Sequence, residues 1–156
     1  MPTSSEVITF FAPGEPKGQP RPRAFARRMG NKFVARVYEA GTAEHWKGAV
    51  AFVARNHQPQ TLLNGPVHVS LWFHFLRPKA HFKAGDPGKG LKGNAPFYHL
   101  GKPDADNLAK AVLDCLTQMG GFWRDDAQVA HLTVRKTYAE NPGCTVCVAP
   151  LEGHRA

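Results

Sequence analysis

The chain has 156 residues and a formal charge of +8, from 20 Lys and Arg against 12 Asp and Glu. That length corresponds to one domain, which buries roughly 68–70% of its extended-chain surface and needs no disulfide or structural metal to hold a core. No apolar run nears the roughly 18–20 residues of a membrane span, and the N-terminus lacks the basic-then-apolar pattern of a secretory signal. Three cysteines, Cys115, Cys144 and Cys147, form no paired framework, so a cytoplasmic protein is expected. The positive excess favours a polyanionic partner, because it steers phosphate backbones toward the surface.

Val7 to Ala12 reads as a strand, a short run of apolar, β-branched and aromatic residues. From Pro13 to Lys32 the composition changes to four prolines, three glycines and six basic residues: Lys17, Arg21, Arg23, Arg27, Arg28 and Lys32. Each proline denies an amide donor, so the stretch is expected to be a cationic loop. Phe33 to Tyr38 reads as a strand. Thr42 is the expected N-cap of a helix with Glu44 in its first turn and Trp46, Val50 and Val53 on its apolar face. After a turn at Asn64-Gly65-Pro66, residues 67–76 alternate strictly. Val67, Val69, Leu71, Phe73 and Phe75 fall on one face, and His68, Ser70, Trp72 and His74 on the other.

Residues 77–103 form a second irregular basic segment, of a length more often functional than merely connective. A helix is expected from about Asp106 to Met119, with Leu108, Val112, Cys115 and Met119 at helical spacing and Gly120-Gly121 ending it. Strands are expected over Gln128 to Tyr138 and Cys144 to Leu151. Strands outnumber helices and mostly follow one another without a crossover helix. The expectation is a single α+β domain over residues 1–156, a mixed β-sheet of about five strands with two main helices packed on it. Its basic loops are expected at about 13–32 and 77–103.

The chemistry concentrates in Lys102-Pro-Asp-Ala-Asp-Asn-Leu-Ala-Lys110. In extended backbone Asp104 and Asp106 would project to one face, and two carboxylates that close require a shared proton or a divalent cation. Hard oxygen ligands with few His or Cys favour Mg²⁺. The bland alternative is that an acid before a helix caps it and offsets its dipole. Lys110 returns to the side of Asp106 one turn later. Arg124-Asp125-Asp126 adds two acids beyond the helix, which the following strand can carry back beside the helix start. Carboxylates around a cation, flanked by basic loops, suit phosphodiester chemistry.

Lys102-Pro-Asp-Ala-Asp-Asn-Leu-Ala-Lys-Ala-Val-Leu-Asp-Cys-Leu116, with Gly121-Phe-Trp-Arg-Asp-Asp-Ala-Gln-Val129, resembles the signature of the RusA family of Holliday-junction resolvases. Pro13-Gly-Glu-Pro-Lys-Gly-Gln-Pro-Arg-Pro-Arg23 is similar to that family's opening. The resemblance implies a Mg²⁺-dependent, homodimeric endodeoxyribonuclease of α+β fold that resolves four-way DNA junctions by paired symmetric nicks in recombination and repair, in a bacterial or phage setting. It puts the catalytic acids on Asp104, Asp106 and Asp126 and the essential lysine on Lys110. Asp125 is the adjacent candidate metal ligand, and Asp114 matches a family position while pairing with Lys110. Lys17, Arg21, Arg23, Arg27 and Arg28 are the expected DNA-binding residues. The rival reading is a basic nucleic-acid-binding module without chemistry. Against it, carboxylates where phosphates should lie weaken binding.

Four further signals are read as structural. Cys144-Thr-Val-Cys147 lacks a second metal-binding pair, and its thiols would point to opposite faces of a strand. His99 is expected to be a solvated loop histidine. His68 and His74 beside Trp72 are expected on a partly exposed strand face. The glycine-rich stretch 85–93 lacks a phosphate-cradling motif.

Overall fold

The computed structural model describes residues 6–20, 22–30, 32–39 and 43–152, the stretches 22–29 and 32–39 through their backbone. In chain order the elements are β1 (Ile8–Pro13), β2 (Pro22–Met29), β3 (Lys32–Glu39), α1 (Glu44–Ala54), β4 (Val67–Phe75), α2 (Ala105–Met119), β5 (Val129–Tyr138) and β6 (Gly143–Pro150). The alternation in β4 organises the rest. Its apolar face is buried at every second residue from Val67 to Phe75, and Val146 and Val148 of β6 and Phe10 and Ala12 of β1 extend that buried face sideways. Both helices cover it, α1 with Trp46, Val50 and Ala54, and α2 with Leu108, Val112, Cys115 and Leu116. The fold is α+β, with one mixed sheet and two helices on one side.

Two expectations about the sheet are corrected. It has four strands rather than five, in the order β1-β6-β4-β5, and β2 and β3 form a separate two-stranded sheet. The expected loop over 13–32 also contains β2. Its prolines cluster ahead of the strand or open it at Pro22, where a missing amide donor disrupts no central ladder. Gly30, at φ +63°, supplies the tight reversal into β3.

The helix expected near 106–119 also turns out to be a crossover, a role the sequence reading did not give it. β5 runs parallel to β4, and a parallel pair needs a long connection. Residues 77–128, with α2 at their centre, provide it. One extra residue in β5, Ala130, shifts the register between Val67 and His68. Helix α1 is capped by Ala43 without a side-chain hydrogen bond, not by Thr42, which lies outside the described residues. At the far end of α2, Gly120 and Gly121 take φ of 73° and 99° and end the helix as the sequence implied.

The segment 77–103 is irregular, with single 3-10 turns at Lys79–His81, Lys83–Gly85 and Pro87–Lys89. Arg77 anchors it, donating from Nη1 to the Pro96 carbonyl at 2.7 Å and lying over the Tyr138 ring. Cys144 is fully buried and Cys147 half-buried on β6, as opposite strand faces require, and burial pushes the Cys144 thiol far up. On the sheet face away from the helices, His68 stacks on His131 at 3.9 Å and Arg135 lies over the Trp72 ring at 3.8 Å. Among the described residues no helix is long and apolar enough to cross a membrane.

Candidate active site

Asp104 occupies the N-cap position of α2 in extended backbone (φ −68°, ψ 149°), yet its side chain makes no cap hydrogen bond. Its Oδ2 instead accepts from Lys102 Nζ at 2.9 Å. Asp106 already belongs to the first helical turn, so these two acids do not share extended backbone as the spacing had implied. The helix period governs instead: Asp106, Lys110 and Asp114 recur every four residues and fall on one side of α2.

Opposite that side stands β5. Asp106, Lys110, Asp114 and Asp126 line one cleft of about 470 Å³, floored by Leu132 and Val134. Of the second acid pair Asp126 lines this cleft, beside Lys110 and Asp114 along the helix rather than at the helix start. Asp126 carries the electrostatic signature of the cleft. Its hydrogen bond with Asp125, its burial, and the negative charge of Asp125 and Asp114 hold its carboxyl above the usual range, with Lys110 pulling the other way.

Asp125 has a different task. Its Oδ1 accepts the Ala127 amide at 2.9 Å, and it caps the 3-10 turn Asp126–Gln128 in a capping box with Gln128. That amide holds its carboxyl below the ordinary range. Gln128 fixes the turn from both ends of its side chain: Oε1 accepts the Arg124 amide at 2.9 Å, and Nε2 donates to the carbonyls of Leu63 and Gly65 at 2.7 and 3.0 Å.

The approach to Asp104 is also held. Lys136 of β5 donates from Nζ to the carbonyls of Gly101 and Pro103, each at 2.7 Å. Burial and the charge of Lys102 lower its pKa, with Asp104 opposing. His99 is half-buried rather than solvated: its amide donates to the Lys136 carbonyl at 3.1 Å, and its ring stacks on Phe75 at 4.0 Å. Gln128, Lys136 and Lys102 were not singled out from the sequence. The Asp125-x-x-Gln128 spacing was a legible capping signal, whereas the reach of Lys136 depends on the parallel crossover.

Of the expected DNA-binding residues, Lys17 lies on the loop after β1, 3.5 Å from Glu15. That loop is clamped to α2. The Gln19 amide donates to the Asn107 carbonyl at 2.9 Å, and a Cβ on Gly18 would stand 3.1 Å from Cβ of Asn107 and 3.2 Å from Cβ of Pro103. Arg23, Arg27 and Arg28 fall on β2 opposite Tyr38, Val34 and Phe33. Arg21 lies outside the described residues.

Among the described residues, no three His, Cys, Asp or Glu side chains stand close enough to enclose a metal ion by themselves. The donor set still fits Mg²⁺, which keeps several waters and is bound through one or two carboxylates together with substrate phosphates. All the candidate donors are carboxylate oxygens, the type that ion prefers.

A family model described as endodeoxyribonuclease RusA matches residues 13–149. A Bacillus subtilis (strain 168) protein, "Uncharacterized protein YqaN", is 33% identical over 147 residues, covering 92% of this chain and 96% of its own length. Both matches run through the helix start and the Arg124-Asp125-Asp126 turn that build the cleft.

Proposed function

Because the chain belongs to the RusA endodeoxyribonuclease family, we propose that it is a Mg²⁺-dependent nuclease that resolves four-way DNA junctions in recombination and repair. The observation that carries this reading is the convergence of Asp106, Lys110, Asp114 and Asp126 on one open cleft in a chain of net charge +8. A protein that only bound DNA would gain nothing from acids gathered where phosphates pass.

Asp106 and Asp126, with Asp104 at the helix start, are the residues that would hold the ion. Bound there, Mg²⁺ supplies polarisation of the phosphodiester and a lowered pKa for the attacking water. Lys110 lies between Asp106 and Asp114 along the helix and lines the cleft, and in this reading its ammonium stabilises negative charge developing on the phosphate. Lys102 and Lys136 are positioning residues that hold the backbone and carboxylate at 101–104. Lys17, Arg21, Arg23, Arg27 and Arg28 bind phosphates and orient the DNA without reading its sequence.

The active species in this reading is a homodimer. A four-way junction is nearly two-fold symmetric, and its resolution takes cuts in two strands of like polarity. A C2 dimer presents one cleft to each.

The test is a labelled synthetic junction incubated with protein in Mg²⁺ and in EDTA. Paired nicks in Mg²⁺ alone are expected, and a junction retained but uncut in Mg²⁺ turns the reading to a non-catalytic binder. Mixed dimers of wild type and D104N, given a supercoiled cruciform plasmid, should nick the circle without linearising it. Linearisation as efficient as by wild type overturns the two-site arrangement. Neutralising Lys17, Arg23 and Arg27 together should weaken junction binding and reduce its salt slope by about 0.9 for each phosphate no longer neutralised. An unchanged slope would reduce these residues to a solubilising surface.

A further inference from the structure

A second cleft lies on the other side of the helix start, and the proposed cleavage chemistry does not use it. It measures about 510 Å³, within the range of about 300–1,000 Å³ typical of small-ligand sites, and is too small for a duplex. Pro16, Pro142, Leu76 and His99 give it mostly apolar walls, and Lys17 and Lys102 also line it, Lys102 with its ammonium 2.9 Å from Asp104 Oδ2. Glu15 also lines it and is offset by Lys17, 3.5 Å away.

Both walls are fixed before any ligand arrives. The 15–19 side is clamped to α2 by the Gln19–Asn107 hydrogen bond and the close approach of Gly18 to Pro103. The opposite side is fixed by the stack of His99 on Phe75, the edge of Tyr138 at 5.2 Å, and the grip of Lys136 on Gly101 and Pro103. The cleft is continuous with the catalytic segment, because Lys102 and Pro103 line it and Asp104 is the next residue. Pro103 to Asp106 is three residues, at most about 11 Å of extended chain. Apolar side chains stand out beside it: Leu76 is 59% exposed, and Leu100, on the basic segment, is 89% exposed. Exposed apolar surface beside cationic side chains fits a partner that is flat and apolar on one part and anionic on another.

Resting on the reading of this chain as a junction nuclease, we propose that the cleft holds one unstacked nucleotide of the strand being cut. Its base would lie against Leu76, His99 and the prolines, with its phosphate between Lys17 and Lys102. Junction crossovers are where base pairs are most easily opened, and proteins that remove a base from the stack receive it in a fitted pocket and recover the unstacking cost there. Seating a neighbouring nucleotide in a rigid cleft would fix the position of the scissile phosphate at Asp106 and Asp126, which is the positional contribution to rate.

The experiment uses the full-length protein and junctions carrying 2-aminopurine at successive positions around the crossover, read by fluorescence in EDTA and by cleavage in Mg²⁺. Wild type should cut the junction and brighten the probe at one position beside the cleavage point. L76D should lose that brightening and cut about 5- to 100-fold more slowly, the size of one base-stacking interaction. L76S, which trims the wall without adding charge, should show a smaller loss of both signals. F52D, an exposed aromatic on α1 away from the cleft, should behave as wild type and control for added charge. If wild type cuts but no position brightens, or if L76D and L76S brighten and cut as wild type does, the nucleotide site is wrong and the nuclease reading stands. If wild type does not cut at all, the nuclease reading falls and takes the site with it.

Discussion

Two pairs of aspartates straddle the starts of two helical segments, and they use the same position differently. Asp125 sits at the N-cap of the 3-10 turn 126–128 and commits its carboxylate there, to the Ala127 amide. Asp104 sits at the N-cap of α2 and makes no such bond, its carboxylate being held by Lys102. The second member of each pair, Asp106 or Asp126, faces the shared cleft. An acid at a helix start is therefore not automatically a cap. The partners differ: a backbone amide commits Asp125 to its turn, whereas Asp104 is engaged by the Lys102 ammonium.

The largest effects should come from the members that face the cleft. D106N or D126N should reduce junction cleavage on the order of 10³-fold, as expected when a group acting on the reacting phosphate is removed. Junction affinity measured in EDTA should be unchanged or tighter, since a negative charge near phosphate is gone. Cleavage within tenfold of wild type in either variant would remove that residue from the chemistry. D104N tests whether the uncapped position belongs with them: a loss of about 10²-fold or more, with helix content unchanged by circular dichroism, is expected. Retained cleavage with a lowered melting temperature would return Asp104 to a purely structural role.

The smallest catalytic effect should be at Asp125. D125A should keep cleavage within about threefold while slightly lowering the melting temperature, through loss of the cap on the 126–128 turn. If D125A is inactive and D126N is not, the two residues exchange roles and the contrast between the pairs is reversed.

Much of this was legible in the sequence, for identifiable reasons. β4 was clear because one face is buried at every second residue, so its alternation is unbroken. Helix α2 was clear from its spacing and its terminal Gly120-Gly121. The recurrence of Asp106, Lys110 and Asp114 along one helix side is local geometry and could be read directly. Other features depend on contacts distant in sequence. The parallel pairing of β5 with β4 puts Asp126 in one cleft with Asp106, Lys110 and Asp114, and nothing within the strand announces its direction. The reach of Lys136 to residues 101 and 103 follows from that same pairing. The strand at 22–29 was hidden by averaging composition over 13–32, where the prolines occupy only the first half. His99 was misjudged because burial by Phe75 and Tyr138 is a tertiary fact that a glycine-rich neighbourhood does not reveal.

The position of β6 has a consequence for biosynthesis. It lies between β1 and β4, pairing with both, although it is the last of the strands in chain order. While a ribosome has yet to deliver residues 143–150, β1 lacks the strand it pairs with, and the layer that α1 and α2 cover is split in two. Pairing the first strand with the last also joins residues of long sequence separation, the kind of pairing that forms slowly. Residues 104–126 are thus translated before the sheet can close. Order of synthesis leaves the sheet in two pieces until β6 has been made.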